Sequence, residues 1–177
     1  MSGCLKLRKK RKTWFRVISI HRITAADLPR LRRFWKDQWD GDFVVAHGTT
    51  FHPENVSGFI ALDDNEWIGL ITYTFWETDC EIISVDSLRE DKGIGTALVE
   101  KVVEEARANQ CRRIHLTTTN DNLRALGFYQ KRGFRLCALR VDAMEQARRL
   151  KPGIPLIGEN GIPIRDEIEL EMLLQVT

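Results

Sequence analysis

The sequence has few of the features that mark membrane, secreted or metal-binding proteins. No uninterrupted apolar run approaches the length that a membrane-spanning helix needs, and no apolar segment ending in small residues marks a secretory signal. The four cysteines are widely spaced without a C-x-x-C pair, and the four histidines lack metal-ligand spacing. We therefore expect a cytoplasmic protein with reduced, mostly buried thiols and no metal.

Length and charge indicate one domain behind a basic leader. A chain of 177 residues is long enough to bury a core without disulfides or metals. The formal net charge is only +2, yet the first twelve residues hold six Lys and Arg and no acid. We expect residues 1–14 to be a disordered leader and 15–177 to form a single domain. Such a leader binds nucleic acid or an anionic membrane in some proteins, but we expect neither partner here.

The chain is organised around residues 85–98, where a β-branched, strand-like run passes through a glycine turn into a helical pattern. Gly93 and Gly95 stand at the start of that helix, where unpaired amides and the helix dipole can bind a phosphate. The turn is not a Walker loop, because no lysine follows the second glycine. It is not a dinucleotide loop either, because Leu98 holds the third glycine position.

A more specific pattern lies about a strand and a helix downstream, where residues 122–134 read N-L-R-A-L-G-F-Y-Q-K-R-G-F. Together with the glycine turn it resembles the GNAT superfamily of acetyl-CoA-dependent N-acetyltransferases. The second motif of that family reads N-x-x-A-x-x-F-Y-x-K-x-G-F, and this chain matches it at every named position. The family's first motif reads V-x-P-x-x-R-G-x-G-I-G, of which Val85 and residues 93–95 match.

The first motif departs from the family pattern in its charge. Ser87 replaces the proline, Glu90 the arginine and Asp91 the glycine. Because acidic side chains beside a pyrophosphate are unfavourable, Arg89 or Lys92 would have to supply the positive charge. The resemblance covers residues 15–141 in element order.

The hydrophobic pattern predicts an α/β fold, with a central mixed, mostly antiparallel sheet of about six to seven strands and helices on both faces. We expect strands over 15–23, 58–62, 67–76, 80–85, 113–118, 134–141 and 168–174. We expect helices over 93–109, 122–132 and 142–151, and a first helix that begins at Thr24 or Asp27 and ends near residue 36. Residues 37–57 show no readable period, and residues 142–166 are an insertion before the last strand.

The resemblance implies acetyl-CoA as the co-substrate and assigns it a binding site. Amides of the glycine turn would bind the pyrophosphate, and the end of the preceding strand would pair with the pantetheine arm and polarise the thioester carbonyl. Asn122 would touch the coenzyme, although an asparagine at that place is also a routine helix cap. The implied coenzyme-binding residues are Ser84, Val85, Arg89, Lys92, Gly93, Ile94, Gly95, Thr96 and Asn122.

The resemblance also implies a proton donor, and the residues offer candidate bases. Tyr129 holds the family's tyrosine position, where the phenol protonates the departing thiolate, whereas Phe128 is expected only to pack. Glu81 is the first candidate base and Asp79 the second, with a chain of waters as the alternative. In proteins of this family the segment after the first helix covers the acceptor, so the candidate contacts there are Trp39, Asp42, His47 and His52. Packing or solvent exposure explains each of these four side chains as well.

We therefore expect an N-acetyltransferase in which an amine attacks the thioester directly, without a covalent enzyme intermediate. No G-x-S-x-G motif supports a serine nucleophile. The acceptor is expected to be a small-molecule or peptide amine, and a homodimer remains open. Two alternatives stay open as well. One is a non-catalytic acyl-CoA-binding or regulatory module, which Glu90 and Asp91 favour. The other is a nucleic-acid-binding protein that uses the basic leader.

Overall fold

The computed structural model describes residues 18–89, 92–158 and 160–175. The basic leader, Glu90 and Asp91 lie outside these residues. The strands are β1 (Ser19–Arg22), β2 (Val44–Ala46), β3 (Thr49–Phe51), β4 (Ser57–Asp63), β5 (Glu66–Trp76), β6 (Asp79–Ser87), β7 (Arg113–Thr119), β8 (Arg135–Arg140) and β9 (Glu167–Leu173). The helices are α1 (Leu28–Trp39), α2 (Ile94–Ala108), α3 (Leu123–Gln130) and α4 (Ala143–Leu150).

A seven-stranded sheet in the order β1-β4-β5-β6-β7-β9-β8 forms the centre of the molecule. Within the described residues every neighbouring pair is antiparallel except β6 and β7. The last strand, β9, enters between β7 and β8, so these two strands are not neighbours although only one helix separates them in the chain. The predicted mixed, mostly antiparallel sheet with helices on both faces is confirmed.

Each face of the sheet is covered by helices with an apolar stripe. On one face α2 buries Ile94, Leu98, Val102 and Ala106, which recur at the helical spacing seen in the sequence. Tyr129 of α3 belongs to the same cluster. On the other face α1 buries Leu31 and Trp35 against strands β4, β5 and β6. Burial of each large apolar side chain contributes roughly 1.5–3 kcal/mol, so both layers are held mainly by these stripes.

Residues 37–57 form more structure than their sequence pattern indicates. Strands β2 and β3 pair as a short antiparallel hairpin in which Ala46 faces Thr49. The two residues between them, His47 and Gly48, have φ angles of 39° and 76°. Positive φ at both positions is the geometry of a type I′ turn, which suits the twist of a two-residue hairpin. Three-residue strands are too short to show a period, which explains why this hairpin was not predicted.

The sheet opens between β6 and β7. Their ladder extends only from the pair Asp79–Arg113 to the pair Ile82–Leu116. On the other side of β6 the register with β5 shifts so that Ile83 is an extra, bulged residue. A bulge bends the strand that carries it. Among the described residues, β6 beyond Ile82 therefore has no ladder partner on its β7 side, and a split opens there.

Two of the described cysteines, Cys80 and Cys111, are buried as expected, whereas Cys137 is exposed on β8. None of the helices in the described part of the chain is long and apolar enough to cross a membrane.

Candidate active site

The split between β6 and β7 meets the first turn of α2. Gly93 precedes this helix with φ of 73°, a left-handed conformation that favours glycine. The first hydrogen bond of the helix joins the Ala97 amide to the Gly93 carbonyl at 3.0 Å. The amides of Ile94, Gly95 and Thr96 consequently have no acceptor within the helix, and they form a ready anion site beside the split.

Gly95 has a packing role besides its place in the turn. A Cβ atom at this position would lie 3.2 Å from the ring of Phe128 on α3. The absence of a side chain therefore lets α3 approach the first turn of α2. Phe128 packs, as its sequence position predicted, and it does so against the predicted phosphate-binding turn.

The two predicted cations occupy different surroundings. Arg89 forms ion pairs with Asp63 and, at 2.9 Å, with Glu66, both near the turn between β4 and β5. These carboxylates raise the pKa of Arg89 and hold its guanidinium there. Lys92 is exposed next to the glycine turn. Lys92 therefore lies beside the glycine turn, whereas Arg89 is held by Asp63 and Glu66.

A third cation, Arg132, reaches the first turn of α2 from the end of α3. Its guanidinium lies 3.5 Å from the centre of the Phe128 ring and donates from Nε to the Thr96 hydroxyl at 3.1 Å. The family motif assigns no residue type to this position, so Arg132 was not predicted from the sequence. Arg132 thus adds positive charge at the first turn of α2.

Tyr129 lies beneath this turn and is only 7% exposed. Its ring packs against Phe128 and Phe134, with centroids 5.0 and 5.4 Å away. Burial, with the nearby charge of Asp86, raises the pKa of Tyr129, so its hydroxyl stays protonated. No described residue hydrogen-bonds to that hydroxyl. Asn122, by contrast, caps α3 by accepting the Ala125 amide at 3.0 Å.

On the opposite face of the sheet, Glu81 is 1% exposed and fully bonded. Its Oε1 lies 2.7 Å from Nε2 of His47, and its Oε2 accepts the Trp76 indole at 3.1 Å. The bond to Glu81 raises the pKa of His47. The His47 backbone amide also donates to Oε1 of Glu167 at 3.2 Å. His47 therefore connects carboxylates on β6 and β9 and brings two of the predicted site residues together.

Asp86 is a site residue that the sequence did not reveal. It follows Val85 on β6, and its Oδ1 accepts the indole N–H of Trp39 at 3.2 Å. Its Oδ2 is buried without a partner among the described residues. Burial raises the pKa of Asp86 to about 7. The family motif specifies no residue type at the position of Asp86. Its contact with Trp39, at the end of α1, becomes visible only in the folded structure.

Three other predicted site residues, Asp79, Ser84 and Asp42, have side chains that are already paired with neighbouring residues. Asp79, the second candidate base, pairs with Arg113 at 2.7 Å. The Ser84 hydroxyl lies 2.8 Å from that of Thr72, which leaves only its backbone for a ligand. Asp42 pairs with Arg32 on the surface at 3.2 Å.

His52 packs its ring 5.7 Å from that of Phe43. No contact joins His52 or Asp42 to Glu81 or Asp86 among the described residues. Over the same part of the chain, no group of three or more metal-ligating side chains is assembled.

Comparison with known proteins identifies the relatives of this chain. A sequence model described as the acetyltransferase (GNAT) family matches residues 19–134. The uncharacterized protein YxbD of Bacillus subtilis (strain 168) is 50% identical over 156 residues, which is 86% of this chain and 98% of that protein. The uncharacterized protein YdhI of the same organism is 50% identical over 139 residues, covering 78% of this chain and 87% of YdhI.

Solved structures share the fold. A GNAT family acetyltransferase from Elizabethkingia anophelis with acetyl-CoA bound matches with a TM-score of 0.66 and 27% identity, over 89% of this chain and 98% of that one. A Bacillus subtilis acetyltransferase in complex with CoA has a TM-score of 0.65 and 24% identity, over 90% and 100% of the two chains. At that identity the second likeness shows the fold alone.

Proposed function

The chain belongs to the GNAT acetyltransferase family, and from that membership we propose that it transfers the acetyl group of acetyl-CoA to a primary amine. The observation that carries the proposal is the split between β6 and β7, which opens beside the unpaired amides of α2. A bound acetyl-CoA in the Elizabethkingia anophelis relative supports the same co-substrate here. The acetyl group moves in one step, because no nucleophilic serine or cysteine motif is present.

The coenzyme is held by backbone groups more than by side chains. The amides of residues 94–96 bind the pyrophosphate, and Lys92 and Arg132 add positive charge. The pantetheine arm pairs with the free edge of β6 in the manner of an added strand. A backbone amide of Ser84 or Val85 donates to the thioester oxygen and stabilises the negative charge that develops during attack.

Proton transfer is divided between the two faces of the sheet. The amine nitrogen attacks the carbonyl carbon, the C–S bond breaks, and the departing thiolate takes the proton of the Tyr129 hydroxyl. A phenol that burial keeps protonated is suited to this step. The amine proton leaves toward Glu81. Because Glu81 is buried with both oxygens bonded, we place the accepting atom on His47, whose side chain is 26% exposed and is oriented by Glu81.

Calorimetric titration with acetyl-CoA, and separately with ATP and NAD, tests the coenzyme site. We expect heat of binding for acetyl-CoA alone. An amine screen that follows free thiol then tests transfer. Binding without thiol release from any amine, unaffected by Tyr129→Phe, would instead support the non-catalytic acyl-CoA-binding module. No binding of acetyl-CoA would contradict both functions.

A further inference from the structure

Two carboxylates on the α1 face of the sheet each keep one buried oxygen without a partner. Asp86 uses Oδ1 for Trp39, and Glu167 uses Oε1 for the amide of His47. The second oxygen of each, Oδ2 and Oε2, is buried and has no partner among the described residues. Glu167 is only 3% exposed. A carboxylate oxygen that is removed from water without a donor is costly, so each site is suited to a hydrogen-bond donor from a ligand.

Counting onward from the paired residues brings these two carboxylates to a similar height along the strands. Glu167 of β9 lies directly opposite Thr119 of β7. In the parallel pair, Ile82 of β6 lies beside Leu116 of β7. Because Ile83 is bulged and takes no place in the ladder, continuing the count brings Asp86 near the level of Thr119. Strand β7 lies between them. Two strand spacings separate their backbones by about 10 Å, and the opening of the split adds to this.

The charged groups near the two carboxylates leave Oδ2 of Asp86 and Oε2 of Glu167 without a donor among the described residues. Glu81 already uses both oxygens for His47 and Trp76. Arg140 lies opposite Glu167 in the sheet, but its ion pair is with Glu169. Burial still raises the pKa of Glu167 despite the charges of Arg140 and His47. The two unpartnered oxygens therefore favour a ligand that brings positive charge at both ends.

We infer that the acceptor is an aliphatic diamine or polyamine, whose reacting amine lies beside Asp86 while Glu167 binds a second ammonium group. This inference rests on the proposed acetyl transfer and adds the class of acceptor. Asp86 lies at the split, where the thioester is placed, and so receives the reacting end. Glu167 lies across β7 and determines specificity without touching the reacting atoms.

A matched pair of acceptors tests the inference. Hexamethylenediamine and hexylamine have the same carbon chain and differ by one amine. With acetyl-CoA and the full chain, we expect kcat/KM for the diamine to exceed that for the monoamine by roughly tenfold or more, because one charged hydrogen bond is gained. Glu167→Gln is expected to remove most of that ratio. Glu171→Gln removes the same charge from the same strand, but its carboxylate is already paired with Arg113 and Arg135; it should leave the ratio unchanged.

The outcomes separate the inference from the function it rests on. Equal kcat/KM values for the two amines in the wild-type protein would overturn the inference while leaving acetyl transfer intact. A ratio that survives Glu167→Gln would also overturn it. A preference for an α-amino acid over the diamine that is lost in Arg140→Gln would reassign the pocket to a carboxylate-bearing acceptor. No thiol release with any amine contradicts the proposed function, and the inference falls with it.

Discussion

At Tyr129 a hydroxyl group is held in an apolar environment beside the split that would receive the thioester. Its ring is fixed between Phe128 and Phe134, so the hydroxyl has little freedom to move. We predict that Tyr129→Phe lowers kcat by about a hundredfold, because a positioned general acid typically contributes at least that factor. The dissociation constant for acetyl-CoA should change little, since the pyrophosphate amides are untouched. Steady-state kinetics and calorimetry measure the two quantities separately.

Tyr73 is the matched control for that substitution. It is the other of the two tyrosines in the chain and is fully buried, with its hydroxyl accepting from Arg22 at 3.2 Å. Tyr73→Phe removes the same atom from a buried ring in the same cluster. We expect it to retain most of the activity. Equal losses in the two variants would mean that Tyr129 has only a packing role.

The pair of His47 and Glu81 predicts a pH dependence. The Glu81 carboxylate stabilises the protonated imidazole and raises the pKa of His47 above 6.5. A base must be unprotonated, so kcat/KM should rise as the pH increases through that raised pKa. Glu81→Gln removes the negative charge, and the rise should move to lower pH while kcat falls. The pH profiles of kcat/KM for both proteins measure this shift.

Asp79→Asn provides the comparison, because Asp79 is on the same strand and is paired with Arg113. It should leave the position of the rise unchanged. If Asp79→Asn moves the profile and Glu81→Gln does not, the base has been assigned to the wrong carboxylate. His47→Gln should remove the rise that His47 produces.

Site residues that belong to a motif could be predicted from the sequence. Site residues that come together only through contacts distant in the chain could not. The glycine turn and Tyr129 are recognisable because their types and spacing are required by the local backbone and the chemistry. Asp86 and Arg132 occupy positions where a motif accepts any residue, and Glu167 lies outside both motifs. Their roles arise from contacts with Trp39, the hairpin turn and α2, which are far away in the chain. Only a folded structure brings such pairs together.

At the scale of elements, the hairpin of β2 and β3 is what positions His47 over the sheet. Its turn requires Gly48 at φ of 76°, and a Cβ atom there would lie 2.9 Å from Nε2 of Gln146 on α4. We predict that Gly48→Ala destabilises the protein by about 1 kcal/mol, because a left-handed residue with a side chain costs that much. Urea unfolding followed by circular dichroism measures the change.

Gly127→Ala serves as the control, because it adds the same side chain at a helical glycine where stability should increase. Gly127 lies within α3, and a Cβ atom there would meet nothing within 4 Å. Alanine in a helix interior is favoured over glycine by about 0.5–1 kcal/mol, so this variant should be more stable than the wild type. A Gly48→Ala protein as stable as the wild type would mean that the turn can change its conformation without cost.

The longer elements were predictable because their patterns extend over several turns or strand residues. Helix α2 shows a stripe of buried apolar residues at helical spacing, and β5 reads as a strand of eleven residues. The position of β9 between β7 and β8 was not predictable. Pattern alone does not say which strand edge a segment joins, because that choice depends on the helices that already cover each face.

At the scale of the whole molecule, the central sheet consists of two parts. Strands β1, β4, β5 and β6 form one part, strands β7, β9 and β8 form the other, and the four-residue ladder from Asp79 to Ile82 joins them. A pantetheine arm in the split would pair with β6 where this ladder stops and would bridge the two parts. Acetyl-CoA should therefore stabilise the fold beyond its local contacts.

We predict that acetyl-CoA slows amide hydrogen exchange over residues 83–87, while ATP, which has no pantetheine arm, does not. At a concentration one hundred times its dissociation constant, acetyl-CoA should add about 2.7 kcal/mol to the free energy of unfolding. For a chain of this length that corresponds to a rise in Tm of roughly 5–10 °C. Exchange in the ladder residues 79–82, which are already paired on both sides, should change much less. Equal protection by ATP and acetyl-CoA would place the ligand at the glycine turn alone and leave the split without a role in binding.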